Sequence, residues 1–256
     1  MAAGEGEIIA SVIFFDNDIR NCQDMIKNVK NCASVYVDDR TKLDEYTSGK
    51  DYMEKQATAE NIYAQITMRE LGHEPHICKG ITDEIISENL NPWIERTQGV
   101  ENRFAVFDWD RTISVVEGLV IPSRFPYKGI AEDEFIAHMT TYVLGGDARI
   151  QMLQSMYEKI IESGTQVVIL TNNPSAMPTL DNTRQRNTFL KMIENIFPNF
   201  VEKNLLCSNR SPSKSYRINQ YLAPLRSLGG GKKKRTKTRR KTKTRRNTKK
   251  RQQKHR

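Results

Sequence analysis

Four short stretches of the chain are almost continuously apolar and stop abruptly at polar residues: 8–15 (IIASVIFF), 34–37 (SVYV), 104–107 (FAVF) and 166–170 (QVVIL). Each is rich in β-branched or aromatic side chains, which predicts a buried strand. Between them the apolar positions change period. Ile150, Leu153, Tyr157, Ile160 and Ile161 recur at helical spacing ahead of Gly164, the pattern of an amphipathic helix closed by a glycine. Further helices are predicted over 21–30, 57–71, 82–96, 184–196 and 214–222, while 38–56 is polar and reads as a surface excursion. Strands alternating with helices predict an α/β fold: a mostly parallel sheet in a three-layer arrangement.

The pattern fails at the end of the chain. Residues 232–256 hold 16 Lys or Arg, no acid and no large apolar side chain, so they cannot bury enough surface to offset the entropy of ordering. A disordered basic tail is expected over 229–256, entered through Gly229–Gly231. Removing those 16 from the 40 basic residues leaves 24 against 31 acids, so residues 1–231 carry a formal charge of −7. The overall pI of 9.3 therefore describes the tail. Such a tail suits non-specific nucleic-acid binding or nuclear targeting; a solubilising or self-associating segment is the alternative.

Glu5 and Glu7 stand where a secretory signal would be positive, and the run 8–15 is far too short to span a bilayer. A soluble intracellular protein without a membrane partner is expected. Cys22, Cys32, Cys78 and Cys207 form no CxxC pair and read as reduced structural thiols. The stretch His73–Cys78 has a central proline and no second half, which is poor evidence for a metal site. Trp93 and Trp109 read as packing residues, because no basic residues interleave with aromatics in the body.

Ligands of parallel α/β sheets gather at the carboxyl ends of strands. The third predicted strand runs into Asp108-Trp109-Asp110-Arg111-Thr112; residues i and i+2 of an extended segment share a face, so both carboxylates can aim at one spot while Trp109 turns into packing. Two close carboxylates need a cation between them or a shared proton, and both arrangements serve phosphoryl transfer. A bare DxDxT is otherwise a common capping turn. The fourth strand ends in Thr171-Asn172-Asn173, a hydroxyl and turn amides suited to an oxyanion. Lys214 opens an expected helix, where it is either a phosphoryl-neutralising ammonium or a surface lysine.

In this order, FDWDRT, VVILTNN and SPSK resemble the first, second and lysine motifs of the haloacid dehalogenase (HAD) superfamily. The resemblance implies a Rossmann-like HAD fold, Mg²⁺ as cofactor and a phosphorylated substrate. It further implies Asp108 as nucleophile, Asp110 as general acid and base, Thr171 and Lys214 at the phosphoryl group, and Thr112 and Asn172 in substrate binding. The family's acidic fourth motif should follow the lysine, yet no acid lies beyond Glu202. SVIFF-Asp16-Asn17-Asp18 at the front is similar to that motif together with its strand. This implies a circular permutation, with Asp16 completing a Mg²⁺ site made by Asp108 and the carbonyl of Asp110. Asn17 stands where many members have a second acid, a place Asp18 can take over, and Arg111 replaces a common glycine.

The resemblance covers 8–37, 103–114 and 147–222. Within an α/β domain of residues 1–228, 38–102 is then the connection made by the permutation and 114–146 a small cap-like insertion. With so little cap the site is expected to be open, favouring a phosphomonoester on a macromolecule or nucleic-acid end. Two other readings stand beside this one: an idle HAD-like module binding nucleic acid or a protein through its tail, and an unrelated α/β fold in which Asp16, Asp108 and Lys214 do not converge. The glycine hinge and Lys/Arg/Thr tail also resemble proteins of large DNA viruses, which adds a virion to the nucleus as an expected location.

Overall fold

The computed structural model describes residues 10–38, 78–119, 121–209 and 211–228. The helix expected over 57–71, most of the 38–102 connection, His73–His76 and the tail lie outside the described residues. Four expected strands are present as β1 (Ala10–Asp16), β2 (Cys32–Tyr36), β3 (Asn102–Phe107) and β4 (Gln166–Thr171). A fifth, β5 (Leu205–Cys207), was not expected. All pair in parallel in the order β2-β1-β3-β4-β5.

Because helices cover both faces, the central strands need no polar alternation. Val12, Phe14, Phe104, Val106, Val168 and Leu170 pack on Met25 of α1 (Ile19–Asn28), on Val29 just after it, and on Ile218 and Leu222 of α6 (Lys214–Leu228). The intervening residues Ile13, Phe15, Ala105, Phe107, Val167 and Ile169 enter a larger core on the other face. That core is closed by α3 (Glu132–Leu144), α4 (Asp147–Glu162) and α5 (Thr183–Glu194). Phe135, Met139, Tyr142, Val143 and Leu144 of α3 are buried there, so this part of the 114–146 stretch is built into the body.

The helix expected over 82–96 is α2, formed by Asp83–Ile85 and Asn91–Arg96 around a π-helical stretch, Ile86–Leu90. Its start is capped by the Thr82 hydroxyl, which accepts from the Ile85 N–H. Pro92 has no N–H to offer the carbonyl one turn back, which favours a wider turn before it. Among the described residues no helix is long and apolar enough to cross a membrane.

Arg149 of α4 is wholly buried, and its guanidinium donates to the carbonyls of Lys79, Ile81, Thr112, Ile113 and Leu144. It thereby fastens the segment entering α2 and the loop after β3 to the end of α3. Gly80 runs against this clip with φ +61, and a Cβ there would lie 2.5 Å from Arg149 Nη2 and 2.6 Å from the Thr112 carbonyl. Gly80→Ala is expected to cost about 2 kcal/mol or more, combining left-handed strain with a clash against backbone. Chemical denaturation of the variant checks this.

Candidate active site

The chain steps outward in one direction from β1 to β2 and in the other from β3 through β4 to β5. The order therefore reverses between β1 and β3, the switch point beyond which open α/β sheets bind ligands. Asp16 ends β1 and Asp108 follows β3. The two strand tips are locked in register by the Asp108 N–H, which donates to the Phe15 carbonyl at 2.9 Å.

Lys214, the first residue of α6, places its ammonium 2.7 Å from Asp16 Oδ2 and 2.7 Å from Asp108 Oδ1. All three side chains are buried, exposed by 3%, 0% and 8% respectively. Asp16 Oδ1 also accepts from the Asp18 N–H at 2.7 Å, and both of its oxygens accept from Asn21 Nδ2. Asp18 in turn caps α1 through the Arg20 N–H and holds the Arg20 guanidinium.

Asp108 (φ −66, ψ 160) and Asp110 (φ −63, ψ 127) have extended backbone and Arg111 turns left-handed (φ 56, ψ 10), the last two within a π-type turn, Trp109–Ile113. Asp110 Oδ1 accepts from the Gly118 N–H at 3.0 Å. Trp109 is fully buried and meets Phe189 edge-on at 4.8 Å. Arg111 pairs with Glu117 across the loop.

A cavity of about 600 Å³ opens above this floor, lined by Asp16, Asn17, Asp108, Asp110, Asn172 and Lys214 among others. Thr171, the last residue of β4, is not part of the lining; it is fully buried and its hydroxyl accepts from the Asn173 N–H at 3.0 Å. Asn172 Oδ1 accepts from the Ser208 hydroxyl. The expectation for Thr112 needs correction. Its side chain is buried, its Oγ1 has no hydrogen-bond partner among the described residues, and it does not line the cavity. The chain turns within Trp109–Ile113, left-handed at Arg111, which ends the period-two alternation, so Thr112 turns under the loop and only its carbonyl is engaged, by the Ile81 N–H and Arg149.

Asn21 and Gly118 belong to the site but were not expected, and Asn173 was expected only as part of the Thr171–Asn173 turn. Gly118 has φ +65 and Asn173 is 2% exposed, with its amide donating to the Leu119 carbonyl. The signal for Asn173 was its place after a strand, shared with Asn172; nothing in spacing marks Gly118 or Asn21.

Burial pushes Asp108 up to about 7; the Lys214 charge opposes this, while Asp16 and Asp110 add to it. Burial likewise raises Asp110 against the Gly118 N–H and Lys214. For Lys214 burial acts downward, but the charges of Asp108 and Asp16 outweigh it and hold the ammonium above its ordinary value. Asp16, Asp18, Asp108, Asp110 and Glu117 face Lys214, Arg20 and Arg111 around the cavity, five acids against three bases.

That surplus and a donor set made of oxygens fit one hard divalent cation. Among the described residues no three His, Cys, Asp or Glu side chains form a metal cage by themselves. The Asp16 and Asp108 carboxylates are donors of the kind that suit Mg²⁺, which keeps several waters and takes its remaining ligands from substrate. No protein-family model, no curated protein and no solved structure matches this chain.

Proposed function

We propose that this chain is a Mg²⁺-dependent phosphomonoesterase built as a circularly permuted HAD-type domain. The observation that carries the reading is the Lys214 ammonium, seated 2.7 Å from each of two buried carboxylates that come from opposite parts of the chain. β1 lying beside β3 supports the permutation, because the strand bearing the displaced acidic motif must neighbour the one bearing the nucleophile for their tips to meet.

One oxygen of Asp108 is held by Lys214 and its carboxylate lines the cavity; the other oxygen is the nucleophile. It attacks phosphorus, and the bond from phosphorus to the leaving oxygen breaks while Asp110 delivers a proton to that oxygen. Burial moves the Asp110 carboxyl above its ordinary value, the direction that favours the protonated form a general acid needs. Asp110 then takes a proton from water as that water attacks the aspartyl-phosphate, releasing phosphate and restoring Asp108. Thr171 and Asn172 supply polar groups at the tip of β4, and Lys214 fixes Asp108 while offsetting its charge. Bound by Asp16, Asp108 and the Asp110 carbonyl, with Asn17 beside them, Mg²⁺ supplies charge stabilisation of the phosphoryl oxygens.

Hydrolysis of p-nitrophenyl phosphate is expected only with Mg²⁺, and is expected to disappear in Asp16→Asn and in Asp108→Asn. Mg²⁺-independent turnover, or turnover untouched by Asp16→Asn, would sink the reading. Absence of any turnover would favour an idle module acting through its tail.

Thermal unfolding gives a check that needs no substrate. A carboxyl whose folded pKa lies above its unfolded value binds its proton more tightly when folded, so Asp108 takes stability away as pH rises from about 4 to about 7 in the metal-free chain. Mg²⁺ competes with that proton. It is expected to stabilise the chain by about 2.7 kcal/mol at a hundred times its Kd at pH 8, to do so less at pH 6, and to have no effect on Asp16→Asn.

A further inference from the structure

The floor of the cavity accounts for one phosphoryl group, yet its rim carries two arginines and two apolar side chains with no part in that chemistry. Arg20 projects from the β1–α1 turn with its side chain 86% exposed. Asp18 holds it along one edge through Nε at 3.1 Å and Nη2 at 2.8 Å, and Nη1 has no protein partner among the described residues. Arg111 lines the cavity from the loop after β3, steadied by Glu117. It occupies a left-handed backbone position, φ 56, which costs a side-chain-bearing residue free energy that glycine avoids. An arginine kept at such a position beside a site points to a use for its guanidinium. Next to Arg20 on the rim stand Ile19, 49% exposed, and Tyr36 at the tip of edge strand β2, 37% exposed.

We infer that the substrate of this site is the phosphorylated end of a nucleic-acid strand, with Arg20 and Arg111 gripping the neighbouring phosphodiester and Tyr36 and Ile19 receiving the terminal base. The inference rests on the phosphomonoesterase reading for the floor and adds what the rim selects. Guanidinium groups grip phosphate through paired N–H donors, and an exposed aromatic ring is a sequence-tolerant platform for a base. A terminal nucleotide offers a monoester, a second phosphate one residue away and a flat apolar base. A phosphorylated peptide offers only the first of these, and a sugar phosphate lacks both the second phosphate and the base. The five acids around the cavity would repel a second phosphate, so a polyanion enters only where cations meet its next charge. The 16 basic residues of 232–256 suit the same polyanion.

The test uses the full chain carrying Asp108→Asn, so that ligands bind without turnover, with calorimetric titration by a nucleoside monophosphate, by dinucleotides bearing a terminal 5′- or 3′-phosphate, and by a phosphoserine peptide. One of the dinucleotides is expected to bind about tenfold tighter than the monophosphate, as charge-assisted contacts to one more phosphate imply. Adding Arg20→Ala with Arg111→Gly, the latter suited to the left-handed backbone, is expected to bring the two within about twofold. Equal affinity for mono- and dinucleotide, a preference that survives removal of both arginines, or a peptide binding as tightly as the dinucleotide would each overturn the inference. Turnover of p-nitrophenyl phosphate by the wild-type chain is measured beside it. Its absence together with an arginine-dependent dinucleotide preference defeats the phosphatase reading and leaves the recognition standing; its presence without that preference does the reverse.

Discussion

Asp108→Asn is expected to lower phosphomonoester turnover by about 10⁴-fold or more, the scale on which loss of a covalent nucleophile acts, and at pH 8 to leave the protein more stable than before. The second half follows from the site's electrostatics. Ionised Asp108 is buried beside Asp16 and Asp110 with only Lys214 to balance it, and burial has already pushed its pKa up to about 7. A neutral amide of the same shape removes that burden while Asp16 keeps its own contact with Lys214. Thermal melts and a phosphatase assay on the same preparation check both halves. A variant that is inactive and also unstable would mean that Asp108 is a structural partner of Lys214 and no more.

Lys214→Met is expected to act in the opposite sense on stability, costing about 3–5 kcal/mol at pH 8, because it leaves two carboxylates buried without their shared cation. That is a large share of the 5–15 kcal/mol that holds a typical domain together. Turnover should also fall by roughly 10²-fold or more, since the charge offset at the nucleophile is gone. The deficit has a pH signature. Without Lys214 the folded pKa of Asp108 rises further, so the stability lost at pH 8 returns as pH falls through that value and one carboxyl takes a proton. Urea unfolding at pH 8 and pH 6 reads the difference. Combining Lys214→Met with Asp16→Asn should recover part of the loss, as expected for residues joined in one network. A variant as stable as wild type at both pH values would make the ion triad a bystander.

The strands were legible where residues on both faces of the sheet are buried. Ala10–Asp16, Asn102–Phe107 and Gln166–Thr171 sit at the centre of the sheet, so their middles, Val12–Phe15, Phe104–Phe107 and Val167–Leu170, are apolar runs. Leu205–Cys207 is a three-residue edge strand between Asn204 and Ser208, too short to show any period. Helix α3 went unread because Phe135, Met139, Thr140, Tyr142, Val143 and Leu144 are all buried, which blurs the amphipathic stripe that marks a surface helix. At the site, Asp108 and Asp110 were legible from their place after a strand, and each has extended φ and ψ of its own. Extending the strand's alternation to Thr112 failed because the chain turns within Trp109–Ile113, left-handed at Arg111.

The meeting of Asp16 with Lys214, 198 positions apart, is of a different kind. Periodicity carries no information about which strands neighbour one another; only the resemblance of the segment around Asp16 to a displaced motif pointed there. The contacts to Asp110 and Asp16 from Gly118 and Asn21 depend on loop paths that no spacing rule encodes.

The most direct test is to capture the covalent intermediate. The chain is mixed with Mg²⁺ and a phosphomonoester labelled on phosphorus, quenched in acid, and digested for peptide mapping. The mechanism predicts one labelled peptide, with the phosphoryl group on Asp108, cleaved by hydroxylamine as an acyl phosphate is, and absent from Asp108→Asn and from Asp16→Asn. Turnover with no label on Asp108, or with label on another residue, would contradict it.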